Sequence, residues 1–255
     1  MKLAQYSINE EDDLGLFKPS EKEKLLIFCK SEFVESLIEL VDGTQGSFVL
    51  IAGNSDRDFT NEIKGIEQAF SFSFLQNSLI SDNKTIFTLP IGIENLRLGM
   101  NGLTKFMKPG KEWKFREKSV LVGPFSNTHH SRKILNDSNS FRQPLYTKLS
   151  FFVSPKRYAE ISREHKYVLC PRGNGIDTHR FWETLYRGSI PIVFKDKWSE
   201  SLLFHGFPFI QVEDFSHETI NNDINKFEES NNFDSFDPLT TESLWIDYWV
   251  KLLRK

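Results

Sequence analysis

KLLIFCKSEFVESLIELVDGTQGSFVLIAGNSD, Lys24 to Asp56, changes period twice within 33 residues. An apolar run at Leu25 to Phe28 gives way to a helical pattern through Phe33, Leu37, Ile38 and Val41. Gly43 and Gly46 then precede a second apolar run, Phe48 to Ala52. That order predicts strand, helix, strand. A connection of this length makes the two strands parallel and the crossover right-handed. The N-terminal half therefore reads as an α/β layer. It continues through an amphipathic stretch near Ile63 to Phe74, a short strand in TIFTLPIG, and a polar, glycine-rich loop and linker, IENLRLGMNGLTKFMKPGKEW.

The alternation restarts at KSVLVGPFSNTHHSRKIL, a strand at Val120 to Val122 followed by a polar turn and a helix-like stretch. A helix over Pro155 to Glu164, the strand YVLC, the turn PRGNGIDTH, the helix RFWETLYRG and the strands IPIVF and FPFIQV complete the pattern. Two successive α/β halves predict two Rossmann-like domains facing one another across a cleft. The expected domains are residues 1–112 and 113–255. Two further helices are expected after Val212. The last carries Trp245, Trp249, Leu252 and Leu253 beside Lys251, Arg254 and Lys255, and either closes over a domain or lies on a membrane surface.

Composition narrows the function. Hydrophobic residues at 39% and charged residues at 26% are ordinary for a globular chain, and no apolar run approaches the roughly 20 residues that span a bilayer. The opening MKLAQYSINEEDDLGLF carries acids where a secretory signal has its apolar core, so a cytoplasmic or membrane-peripheral protein is expected. Cys29 and Cys170 lie far apart, which suits reduced core thiols. A net charge of −3 with dispersed Lys and Arg argues against nucleic acid as a partner. G-x-G-x-x-G after an early strand and G-x-S-x-G are both absent, which disfavours a nicotinamide oxidoreductase and a serine hydrolase.

The chemistry concentrates in YVLCPRGNGIDTHRFWETLYRGSIPIVF, Tyr167 to Phe194. A strand ends at Cys170, Pro171, Gly173 and Gly175 form a turn, and Asp177 or Thr178 caps the next helix. Ligands of open α/β sheets sit beyond the carboxyl ends of strands, where helix N-termini offer N–H groups to anions. Arg172, Thr178, His179 and Arg180 gather there and suit a pyrophosphate. Glu183, one turn on, is placed to accept ribose hydroxyls. Cys170, Phe181, Leu185, Ile190 and Val193 read as core, and Arg180 with Glu183 reads equally as a surface ion pair.

This segment resembles the donor-binding motif of exostosin-like glycosyltransferases and is more distantly similar to the α1,3-fucosyltransferases. The stronger match covers about 30 residues, and a weaker one reaches back through VLVGPFSNTHHSRKIL. The resemblance implies two Rossmann-like domains in a GT-B-like arrangement, here in a short version. It also implies a nucleotide-sugar donor (a UDP- or GDP-sugar) on the C-terminal domain, a glycan or glycolipid acceptor, and displacement with inversion. It adds Ser126, Asn127 and Arg132 to the donor site.

Inverting transfer needs a base for the acceptor hydroxyl and positive charge for the leaving diphosphate. Arg132 and Arg172 suit the second task. Asp56 in GNSDRD is the preferred base, with Glu94 in IGIEN the other carboxylate. No metal or cofactor is expected. A rival reading uses Asp56 and Asp58 to hold a divalent ion, although 14 Asp in the chain make ~0.8 such pairs expected by chance. A nucleotide- or sugar-binding protein without catalysis is the other alternative. His129 and His130, adjacent on an expected extended segment, should point apart and complete no zinc set.

Overall fold

The structure is a computed structural model that describes residues 4–18, 24–96, 102–231 and 237–253. The chain packs as two compact units. One comprises Met1–Ile91, Gly175–Asp177 and Asp196–Phe204, and the other Gly92–Asn174, Thr178–Lys195 and His205–Lys255.

The first unit is an α/β layer of β1 (Tyr6–Ile8), α1 (Glu11–Leu16), β2 (Lys24–Lys30), α2 (Val34–Val41), β3 (Ser47–Gly53), α3 (Ile66–Ala69), β4 (Phe72–Leu75) and β5 (Ile86–Thr88). Its strands are all parallel and lie in sequential order, β1-β2-β3-β4-β5. Right-handed crossovers in one continuing direction send every connection over the same face. The core on that face shows the result: Leu25, Ile27 and Cys29 of β2 and Phe48, Leu50 and Ala52 of β3 lie beneath Val34, Leu37 and Val41 of α2. The amphipathic stretch after Ile63 is divided, since only Ile66–Ala69 is helical and Phe72–Leu75 pairs with β3. Phe74 and Phe87 stack at 5.3 Å across the β4/β5 pair, a cross-strand contact that the extended backbone allows.

The second unit runs β6 (Lys118–Val122), α4 (His130–Asp137), β7 (Tyr146–Lys148), α5 (Pro155–Ser162), β8 (His165–Leu169), α6 (His179–Tyr186) and β9 (Ile190–Phe194). The next helix, α7 (Lys197–Phe204), packs on β5 in the first unit, where the Ser201 hydroxyl accepts from the Asp82 N–H at 3.2 Å. β10 (Ile210–Val212), α8 (His217–Ser230) and α9 (Ile246–Leu253) follow in the second unit. Its parallel sheet has the order β10-β9-β8-β6-β7. After β6 the chain adds β7 on one side, then crosses back to place β8 on the other. The strand order therefore reverses between β6 and β8, the point at which open α/β sheets form a crevice.

Trp249 on α9 is only 5% exposed and donates from Nε1 to the Ser243 carbonyl at 2.8 Å, so this ring closes over protein, while Trp245 and Ile246 stay exposed. Arg254 and Lys255, and residues 97–101 of the polar linker, lie outside the described residues. No helix among the described residues is long and apolar enough to cross a membrane. Cys29 and Cys170 are free and buried, and burial pushes each thiol up to about 12.

Candidate functional site

The elements at the strand-order reversal are built to bring cations together. β6 ends at Val122, and the turn Gly123–Thr128 leads to α4, whose N-cap His129 accepts the Ser131 N–H on Nδ1 at 3.3 Å. That cap orients the first turn of α4, from which Arg132 reaches back. Its Nη1 donates to the Ser126 and Thr128 hydroxyls, each at 3.2 Å, and its Nη2 to the Pro171 carbonyl in the turn after β8 at 3.2 Å. Gly173 belongs to the same turn, and a Cβ there would lie 3.1 Å from Arg132 Nη2. Glycine lets the turn run past the guanidinium.

Arg180 enters from the first turn of α6 and donates from Nη2 to the Pro124 carbonyl at 2.7 Å. Its guanidinium carbon lies 4.8 Å from the Phe125 ring centre and 5.1 Å from that of Tyr158 on α5. Burial and the neighbouring Arg180 push Arg132 down to about 10. Two like charges are thus held close in a poorly solvated place. Arg132 Nε, Arg180 Nη1 and the Tyr158 hydroxyl are buried with no hydrogen-bond partner among the described residues. Burial pushes the Tyr158 phenol above its ordinary value, opposed by Arg180.

Arg116 supplies the contrast. It is also buried, but Nε donates to the Lys111 carbonyl, Nη1 to the His165 carbonyl and the Ser189 hydroxyl, and Nη2 to the Arg187 carbonyl. All three of its nitrogens are satisfied, as a structural arginine requires. Arg132 and Arg180 each leave a donor unmet, and neither has a carboxylate partner among the described residues.

The other expected residues fall as follows. Ser126 and Asn127 are exposed in the turn after β6, and the Asn127 side-chain oxygen accepts from Asn136 Nδ2 at 3.2 Å. Arg172 is half-buried and donates from Nη2 to the Asn174 carbonyl of its own turn at 3.1 Å. Thr178 is the N-cap of α6 but makes no side-chain cap bond. Asp177 is buried in the first unit, where its carboxylate accepts the Ile91 N–H at 2.8 Å. Glu183 is engaged by Arg187 at 3.2 Å rather than by Arg180. Asp56 is exposed in the loop after β3, and Asp58 is half-buried.

Glu94 and His179 meet. His179 Nδ1 lies 2.8 Å from the Gly92 carbonyl and Nε2 3.4 Å from Glu94 Oε2. Both ring nitrogens thus lie against oxygen acceptors.

His129 and His130 do not diverge, because they form the cap and first residue of a helix rather than a strand, and their rings lie 4.2 Å apart. No group of three His, Cys, Asp or Glu side chains suited to a metal occurs among the described residues. A cavity of about 500 Å³ in the first unit is lined by Lys64, Glu67, Asp82 and Asn83, among others. Its one lysine already donates to the Asn61 carbonyl, and it contains none of the convergent arginine donors described above. Tyr158 was invisible to sequence reading, since a tyrosine in an amphipathic helix carries no mark of its neighbours. No family model matches the chain, and no curated protein matches it.

Proposed function

We propose that the protein is an exostosin-like glycosyltransferase that moves a sugar from a nucleotide-sugar donor to a glycan or glycolipid acceptor, with inversion and without a metal. The two α/β units would act as the two domains of a GT-B-like enzyme. The supporting observation is the Arg132–Arg180 pair, two guanidiniums with unmet buried donors beside the strand-order reversal. A buried donor left unpaired costs about 1–3 kcal/mol, and like charges in a poorly solvated site add to that cost. A diphosphate relieves both, supplying oxygens to Arg132 Nε, Arg180 Nη1 and the Tyr158 hydroxyl.

In this reading the acceptor oxygen attacks the anomeric carbon as the bond to the β-phosphate oxygen breaks. The nucleoside diphosphate leaves with an added negative charge that Arg132 and Arg180 stabilise. A carboxylate takes the acceptor proton. Glu94, which His179 on the first turn of α6 contacts, and Asp56 in the loop after β3 are the two carboxylates put forward for that step.

Calorimetric titration with UDP, GDP, CMP and ADP, with and without chelator, tests the reading. Selective binding of one nucleotide that survives chelation is expected. Arg132→Ala and Arg180→Ala should each weaken it by about 1.5–3 kcal/mol, the range for a hydrogen bond to a charged group. Binding that requires metal would favour the Asp56/Asp58 alternative. Unchanged affinity in both folded variants would remove the pair from the site. Binding without transfer to any acceptor would leave a nucleotide-binding protein.

A further inference from the structure

Charge is distributed unevenly along this chain. Residues 124–159 contain six Lys or Arg and one acid, Asp137, which leaves 26 basic against 34 acidic residues elsewhere. Near the end of that basic stretch, in the loop between β7 and α5, Phe151 and Phe152 are 70% and 69% exposed. Adjacent aromatic rings presented to water are costly unless something covers them.

The loop is anchored, not trailing. It leaves the end of β7 with the Leu149 N–H donating to the Val122 carbonyl at 2.9 Å, and it ends at Ser154, the N-cap of α5. The first turn of α5 contains Lys156 and Arg157 and no acid. Cations at the positive end of a helix oppose its dipole, and a local conflict of this kind marks a place shaped by something other than stability. Arg157 is partly offset by Glu160 at 3.3 Å, and exposed Lys156 has no such carboxylate among the described residues. Lys148 Nζ donates to the Asn136 and Ser138 carbonyls, tying the end of α4 to β7. Exposed Ile134, with Lys133 beside it, projects from α4, and Arg142 lies close enough to Lys148 to help lower its pKa.

Exposed aromatics within a stretch of chain rich in Lys and Arg and nearly free of acids complement a surface that is apolar within and negative at its face. We propose that the Leu149–Ser154 loop inserts Phe151 and Phe152 into an anionic lipid surface, with Lys133, Arg142, Lys156 and Arg157 meeting the headgroups. This stands whether or not the protein transfers a sugar. It assigns membrane contact to this loop and not to the C-terminal helix, whose Trp249 is buried and whose exposed Ile246 and preceding Trp245 serve as the control below.

Cosedimentation of the full chain with phosphatidylcholine vesicles, alone or with roughly a third phosphatidylglycerol, tests the assignment. The protein should pellet with the anionic vesicles only. Phe151→Ser with Phe152→Ser should lower the partition coefficient by about tenfold or more, and Trp245→Ser with Ile246→Ser should leave it unchanged. Failure of the unmodified chain to pellet, or equal pelleting by the double Phe variant, would overturn the proposal. Loss with Lys156→Glu and Arg157→Glu, without any effect of the Phe changes, would also overturn it and point to a soluble polyanion. Should the double Phe variant misfold, Phe152→Cys labelled with an environment-sensitive dye gives a second readout, since both native thiols are buried. A blue shift on anionic vesicles is expected, and its absence counts against insertion.

Discussion

Arg132 is held in place by its neighbours, and Gly173 is the one whose role can be isolated. The Gly173 backbone needs no positive φ, so alanine is sterically compatible with the turn itself. The added Cβ, at 3.1 Å from Arg132 Nη2, would instead press on the guanidinium and disturb its bond to the Pro171 carbonyl. Gly173→Ala should therefore leave the melting temperature within about 2 °C of the parent, as expected of a change that touches no core packing. Nucleotide affinity should fall several-fold, to about tenfold. Calorimetry on the variant checks both, and a stability loss without an affinity loss would show that the glycine serves the turn and not the arginine. Arg180 and His179 were singled out from the turn they follow and Glu94 as an available carboxylate, while Arg132 entered only through the resemblance. Their partners were not legible. Glu94 and His179 are 85 positions apart and meet through the fold, while the Glu183 carboxylate takes Arg187 on the next turn of its own helix, a pairing that i,i+4 spacing allows but does not require.

At the scale of elements, the helix α2 and the apolar strands β2, β3, β6, β8 and β9 were readable, and some of the shortest strands were not. Phe33, Leu37 and Val41 recur at helical spacing, and α2 buries Val34, Leu37 and Val41 as that spacing demands. Leu40 falls off the stripe and is 38% exposed. Leu37→Ala should cost about 2–5 kcal/mol through lost burial and a residual cavity, whereas Leu40→Ala should cost less than about 1 kcal/mol. Denaturant unfolding of the two variants measures the difference, and equal losses would contradict the observed facing of the helix. The three-residue strands β1 and β7 escaped sequence reading for a physical reason. Three residues hold no full alternation, and what makes Tyr146–Lys148 a strand is its pairing with Val120–Val122, more than twenty positions earlier. Phe72–Leu75 was ambiguous likewise, an apolar run whose state was decided by an open edge on β3.

At the scale of the whole molecule, the chain passes between the two units five times: after Ile91, Asn174, Asp177, Lys195 and Phe204. The later passes matter most for stability. α7 packs on β5 in the first unit, yet the strands on either side of it, β9 and β10, are hydrogen-bonded neighbours in the sheet of the second. Asp177 accepts the Ile91 N–H within the first unit, while Thr178, the next residue, caps a helix of the second. Segments of the first unit therefore begin and end in elements of the second, so unfolding either unit releases the ends of elements packed in the other. Two independent transitions are the default for two domains joined by one linker, but this connectivity predicts one. Differential scanning calorimetry of the full chain should show a single endotherm with a calorimetric enthalpy close to its van't Hoff value. Ser201→Leu, which removes the hydroxyl that accepts the Asp82 N–H and crowds the α7 contact, should lower that one transition without splitting it. Two resolved peaks in the parent would mean that the five crossings act only as tethers, and that each sheet with its own helices holds most of its stability alone.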